Sequence, residues 1–574
     1  MTCMLGKDAP LDVSIERMSS LIERLGFELE ESNWLNPIPN VWSVHLKDKH
    51  CPVLFTNGKG VSREAALASA LGEFIERLSS NYFFADYYFG KELAAGEFVH
   101  YPAEKWFPVV SDQFPKGLLD DATISHYNMD DELTAPMLID ANSGDRKRGI
   151  CALPFIKQRD EQKVWIPVNI IENLYVSNGM AAGNSFYEAR VQAISEIFER
   201  HIKNTIISSG ISLPHIPDRI IDRYPHILAS IKALREQGFV VYVLDASLGG
   251  KFPLVNVTLI NPENGGCFAS FGAHPKFEVA FQRALTEMLQ GRTLEQLDQF
   301  PEPAFDIQLV ADQHNLETHF IDSSGIVSWE LLSAESDYTF TEWNTEGDTK
   351  AEFEHLCYLI HKVDMDIYIA DYEHLGIYSC RVIVPGMSEI YPVEELVWNN
   401  NNSAIDLRER LLSLSALSVN ELDELFEQLD SAAYDEQHLV SELIGVIPDK
   451  GSVYDGFRLA ELKCLISLSL GNLELALDFN DWLMQFGQLK GERAKLHRCL
   501  NQLLQFTLSS ENQLSSFDSI LKDVYGLPLF ERCKAMLKGR RIFEEFPVYG
   551  LGLEGFKMHQ TVLQAYRRLQ QIKV

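Results

Sequence analysis

The sequence predicts an α+β fold (irregular α/β) over residues 1–400, followed by an all-α part over residues 405–574. Three observations carry this expectation. Up to residue 400, β-branched or aromatic runs alternate with long amphipathic stretches, without the regular rhythm of βαβ units. The run NNNNS at 399–403 then reads as a linker. Beyond Asp406 the strand-like runs vanish and apolar residues recur at helical spacing. With 574 residues the chain exceeds what one core organises, so at least two domains are expected.

In chain order, GKDAPLDVS opens a first helix, and Ser14 would most simply be its N-cap. VWSVHL at 41–46 is a strand candidate. The loop Asn57-Gly58-Lys59-Gly60 feeds a long helix over 62–83, and Asn178-Gly179 with Gly183-Asn184 feeds another over 185–208. Strands follow at 241–247 (VYVLDAS) and 254–260 (LVNVTLI), then a helix over 276–294, then strands at 367–372 (IYIADY) and 378–384 (YSCRVIV). Each strand candidate is bounded by turn residues. In the all-α part, residues 458–486 read as a helical hairpin turning at Gly471-Asn472. The spacing from Gly471 to Ala476 is tetratricopeptide-like, but the other signature positions match poorly and one copy makes no solenoid. A helical domain used for homodimerisation or partner binding is the expectation.

Charge and cysteine exclude several classes. A net charge of -32 argues against direct nucleic-acid binding, which needs surplus Lys and Arg. It suits a basic protein partner or an acidic site that gathers cations. The start MTCMLGKDAPLDVS lacks the basic and apolar regions of a signal peptide, and no run approaches the roughly 20 apolar residues of a membrane span. A cytoplasmic protein with no membrane partner is expected. The nine cysteines stand singly, with no CxxC, zinc spacing or iron–sulfur run. No P-loop, GxGxxG, kinase or HExxH signature occurs, so any nucleotide is held by another device.

One phrase recurs three times: SALGEFIER at 69–77, QAISEIFER at 192–200 and RALTEMLQG at 283–291. The first two copies carry Glu73/Glu76 and Glu196/Glu199; the third keeps Glu287 and puts Gln290 where the second Glu would be. Positions three apart share a helix face, so each acidic pair is presented together. Apolar residues flank every pair, and carboxylates in such surroundings are costly unless a positive charge meets them. Salt bridges with Arg77 and Arg200 would suffice for a single copy. Three related copies favour a Mg²⁺ site, since Mg²⁺ takes hard carboxylate oxygens together with phosphate oxygens. Arg77, Arg200 and Arg283 then suit triphosphate oxygens, or equally pair with the acids. Locally, Asn184, Ser185 and Glu188 look like a helix cap and Gln192 like a satisfied core group. No catalytic residue is singled out.

These phrases, with the NGxxAGN segment ending at Asn184 and RVIVPGM at 381–387, resemble the YcaO family over about residues 1–400. The resemblance implies a YcaO-type ATP-binding domain there, with ATP and Mg²⁺ as ligands. It makes Glu73, Glu76, Glu196, Glu199 and Glu287 the metal and phosphate-site acids. Arg200 and Arg283 would contact phosphate, while Asn184, Glu188 and Gln192 complete the nucleotide pocket. Lys7 and Ser14 match a segment lying over the nucleotide in close relatives. Family members use ATP to phosphorylate a backbone amide after a nucleophile adds to its carbonyl, giving an azoline or thioamide. The helical part resembles members that assist β-methylthiolation of ribosomal small-subunit protein twelve. Implied partners are a radical methylthiotransferase and that ribosomal protein. A non-catalytic, ATP-binding adaptor recruiting the methylthiotransferase is the alternative. One departure stands out: family cyclodehydratases end in a Pro-rich tail, whereas this chain ends FKMHQTVLQAYRRLQQIKV, a basic helix without proline.

Overall fold

A computed structural model of the chain describes residues 3–395, 402–509 and 516–573. Its N-terminal part is built on three antiparallel sheets. The first is the meander β1 (Leu29–Ile38), β2 (Val41–Asp48) and β3 (Phe55–Gly60). The second joins β4 (Lys105–Phe107), β5 (Ile150–Lys157), β6 (Lys163–Pro167) and β7 (Met180–Gly183) with two strands from later in the chain. The third pairs β8 (Val240–Asp245), β9 (Leu254–Ile260) and β10 (Cys267–Ala273) in sequence order. The late strands β11 (Tyr368–Tyr372) and β12 (Tyr378–Ile383) stand side by side, with β5 and β7 as their outer neighbours. No parallel pairing occurs between these strands, which accords with the α+β expectation.

The three acidic phrases fall on helices Arg63–Ser79, Phe186–Ser209 and Phe277–Met288. Ser62 and Ser185 cap the first two, each hydroxyl accepting a backbone N–H at 3.1 Å from Ala65 and Glu188. Two of the three expected helix ranges shorten. The first stops at Ser79 because Asn81 turns left-handed (φ +61°), leaving Tyr82–Phe84 as a separate 3-10 turn. The third stops at Met288, short of Gly291 with φ +69°.

Of the Gly-containing segments expected as loops, 57–60 belongs to β3 and Gly183 ends β7, while Asn178-Gly179 is the turn before that strand. The glycines of the two strands permit unusually close packing of strand on helix. A Cβ at Gly58 would stand 2.1 Å from the Ala66 carbonyl oxygen, and one at Gly183 2.7 Å from the Ala189 nitrogen. The third acidic helix is entered in the same way from β10, where a Cβ at Gly272 would meet the Ala280 oxygen at 2.2 Å. The hydroxyls two residues before Gly58 and Gly272 do matching work. Thr56 donates to the Ala70 carbonyl at 2.9 Å, and Ser270 to that of Ala284 at 2.7 Å. The repeat is therefore a threefold strand–helix unit, with the acids on the helix beyond the contact.

Of the expected linker, Asn399 to Asn401 lie outside the described residues. Asn402 is buried and donates to the Ala141 carbonyl at 2.9 Å, so this end is tied to the N-terminal part. The helical hairpin forms as Leu459–Leu470 and Leu473–Phe486, turning at left-handed Gly471. Its core gathers leucines and aromatics from 404 to 556. The last helix, Lys557–Ile572, leaves that core. It inserts Val562, Leu563, Tyr566 and Leu569 among Phe74 and Leu78 of the first acidic helix. No helix among the described residues is long and apolar enough to cross a membrane.

Candidate functional site

The three acidic helices and their strands surround one cavity of about 1050 Å³. It brings together Lys7, Ser14, Glu73, Glu76, Arg77, Asn184, Glu188, Gln192, Glu196, Glu199, Arg200, Arg283 and Glu287. Every candidate read from the sequence lies on its wall, although they span 280 positions between Lys7 and Glu287.

One side of the cavity is a polar mesh around the start of the second acidic helix. Glu188 accepts from the Asp8 backbone at 2.9 Å and from Asn184 at 3.0 and 3.1 Å, and it pairs with Lys7 at 3.3 Å. Ser14 is not an N-cap. It sits inside the helix Leu11–Arg24 and donates to Asn184 at 2.9 Å and to the Pro10 carbonyl at 3.0 Å. Asp8, which sequence reasoning missed, takes hydrogen bonds from Ser185 and, at 2.8 Å, from Thr349. These contacts hold the N-terminal segment against the pocket.

The other side is acidic, and four of its five carboxylates meet a cation of the chain. Glu73 pairs with Arg77 and Glu196 with Arg200 at 2.7 Å, both one helical turn apart. Glu199 accepts from the Ala273 backbone at 3.3 Å and lies 3.7 Å from Arg283, which also donates to Gln192 at 2.9 Å. Glu287 pairs with Lys59 from β3. Glu76 has neither an ion pair nor a side-chain hydrogen bond among the described residues. Burial pushes its carboxyl well above the usual range, and the charges of Glu196 and Glu73 push it further. Burial also raises Glu73, against the pull of Arg77.

Gln290 explains the third copy's departure. Its side-chain amide donates to the Asn57 carbonyl of β3, which an ionised glutamate in that place could not do. Two further lysines were missed. Lys59 lies in a glycine-rich strand without a strand signature, and burial lowers its ammonium to about 8, against attraction from Glu199. Lys203, one turn beyond Arg200, is likewise lowered to about 8 by burial; it caps the His319 carbonyl at 2.7 Å. Only its spacing from Glu199 and Arg200 could have signalled it.

Hard carboxylate oxygens beside guanidinium groups form the donor set of a divalent cation with phosphate. The partnerless Glu76 is the residue that most needs such an ion. As they stand, no three His, Cys, Asp or Glu side chains among the described residues form a group that could hold a metal. Four of the five acids are instead turned to cations of the chain.

A family model described as YcaO cyclodehydratase, ATP- and Mg²⁺-binding, matches residues 57–388, and a YcaO cyclodehydratase C-terminal domain model matches residues 404–574. The ribosomal protein S12 methylthiotransferase accessory factor YcaO of Escherichia coli is 49% identical, covering 100% of this chain and 98% of that protein. An uncharacterised protein of Haemophilus influenzae is 48% identical over the same shares. A solved YcaO structure from Methanopyrus kandleri, bound with AMPPCP and Mg²⁺, is 15% identical. That likeness covers 66% of this chain and 92% of the other, with a TM-score of 0.41.

Proposed function

The chain belongs to the YcaO family, and on that premise we propose that it binds Mg-ATP in the cavity and spends it as an accessory factor in β-methylthiolation of ribosomal small-subunit protein twelve. The observation that carries this reading is the convergence of five carboxylates and their cations, from three related helices, on one cavity. Glu73, Glu76, Glu196, Glu199 and Glu287 would hold Mg²⁺. Arg77, Arg200 and Arg283 would take phosphate oxygens bidentately. Lys7, Ser14, Asn184, Glu188 and Gln192 would hold the rest of the nucleotide. Bound Mg²⁺ supplies neutralising charge at the transferring phosphoryl group.

The residues of the chain contribute position. The mesh around Glu188 fixes the N-terminal segment over the pocket, and the paired Arg side chains would be at hand for the phosphates of a bound nucleotide. By family analogy, the acceptor is the oxyanion of a substrate backbone amide after nucleophilic addition; phosphate then leaves with that oxygen. The nine cysteines are free thiols, eight of them buried, so the radical chemistry is assigned to the partner methylthiotransferase. An ATP-holding adaptor is the second reading. It is favoured by the exposed apolar residues Ile520, Val524 and Leu527 on the helical part, a surface suited to a homodimer or a partner.

Phosphate release from ATP separates the two readings, measured with and without a candidate methylthiotransferase and its protein substrate. The enzyme reading expects Mg²⁺-dependent release that folded Glu73→Ala and Glu199→Ala variants lose. ATP binding with no release under any of these conditions leaves the adaptor.

A further inference from the structure

Lys59 differs from Arg77 and Arg200 on the acidic wall. Arg77 and Arg200 pair with acids of their own helix, one turn away, so those pairs form wherever the helix forms. Lys59 reaches Glu287 from another element, β3, and depends on the assembled cavity. Its direction is set by its neighbours. Gly58 and Gly60 face the first acidic helix, where a Cβ on either would collide with Ala65, Ala66 or Ala70. Successive residues of a strand face opposite ways, so Lys59 faces the third acidic helix and the cavity. Gln290, just beyond the end of that helix, holds the same strand through the Asn57 carbonyl.

We propose that Lys59 is the counter-cation of the metal-free site: it holds Glu287 until a divalent ion takes that carboxylate, and then turns to the phosphate chain of the nucleotide. The inference rests on the Mg-ATP reading above. An ammonium and a divalent ion cannot both occupy the centre of one acid cluster without strong repulsion. The nucleotide, in turn, brings negative charge that needs the cations the acids release. Exchange of partners therefore makes metal and nucleotide favour each other's binding, a reciprocal coupling between two ligands of one cavity. Lys59 is a positioning residue of the free site and a phosphate contact of the loaded one.

The test is the affinity for Mn²⁺ alone, without nucleotide, compared with the affinity for Mg-ATP. Lys59→Met should bind Mn²⁺ several-fold more tightly than wild type, because the competing ammonium is gone, and Mg-ATP several-fold more weakly. The factor by which Mg²⁺ improves ATP affinity should shrink. Lys59→Arg should keep wild-type coupling. Lys59→Gln carries the same expectation as Lys59→Met should the latter fail to fold. Unchanged or weaker Mn²⁺ binding by the neutral variants, with Mg-ATP binding intact in wild type, overturns the role of Lys59 alone. Failure of wild type to bind Mg-ATP overturns the reading beneath it as well.

Discussion

Glu76 carries the clearest cost at the residue scale, since its half-buried carboxyl stands beside Glu73 and Glu196 without an ion pair of its own. Removing that charge should stabilise the metal-free protein while weakening its Mg²⁺ dependence, a trade of function for stability. Glu76→Gln is expected to raise the unfolding free energy in chelator by on the order of 1 kcal/mol. Denaturant titration with and without Mg²⁺ measures it, and an equal or lower midpoint in chelator would mean that the acid is not strained. The acids themselves were legible in the sequence because one helical turn fixes which residues share a face. Their partners were only partly so. Arg77 and Arg200 lie one turn away and could be read, whereas Lys59 and Glu287 meet across 228 positions and only once β3 docks on the third helix. Ser14 looked like a cap because the helix start was placed too late; Pro10 opens that helix, and Ser14 is free to serve Asn184.

The strand–helix unit is the working part at the element scale. Strand Gly and helix Ala lie in backbone contact, which brings the acidic turn of each helix to a fixed place. Gly272 is not in the left-handed region, so substituting it tests packing alone. Gly272→Ala should cost at least about 1–3 kcal/mol from overpacking and should weaken ATP binding, since Arg283 moves with the displaced helix. A variant with wild-type stability and affinity would show that the close approach is incidental. The long helices and five of the strands were readable from periodicity and β-branched runs. The two strands feeding the first and second acidic helices were not. FTNGKG and MAAG carry small or polar residues, because the helix backbone occupies the space where larger side chains would lie. Sequence signals for strands come from side chains that pack, and here packing forbids them.

The whole molecule is tied together by its last helix, an arrangement that composition alone did not suggest. Tyr566 stacks on Phe89 with ring centroids 4.3 Å apart and donates to the Val99 carbonyl, inside the core that also holds the first acidic helix. Truncating it should remove on the order of 3–5 kcal/mol of stability, lowering the urea midpoint of the N-terminal part together with the helical part. A transition confined to the helical part would mean that the two fold independently. Calorimetric titration of ATP into the purified chain decides whether five acids on three related helices form one Mg-ATP site. Such a site gives saturable binding of one ATP per chain in Mg²⁺, lost in chelator and in folded Glu199→Ala. Absence of binding, or equal binding in chelator and in that variant, would contradict it.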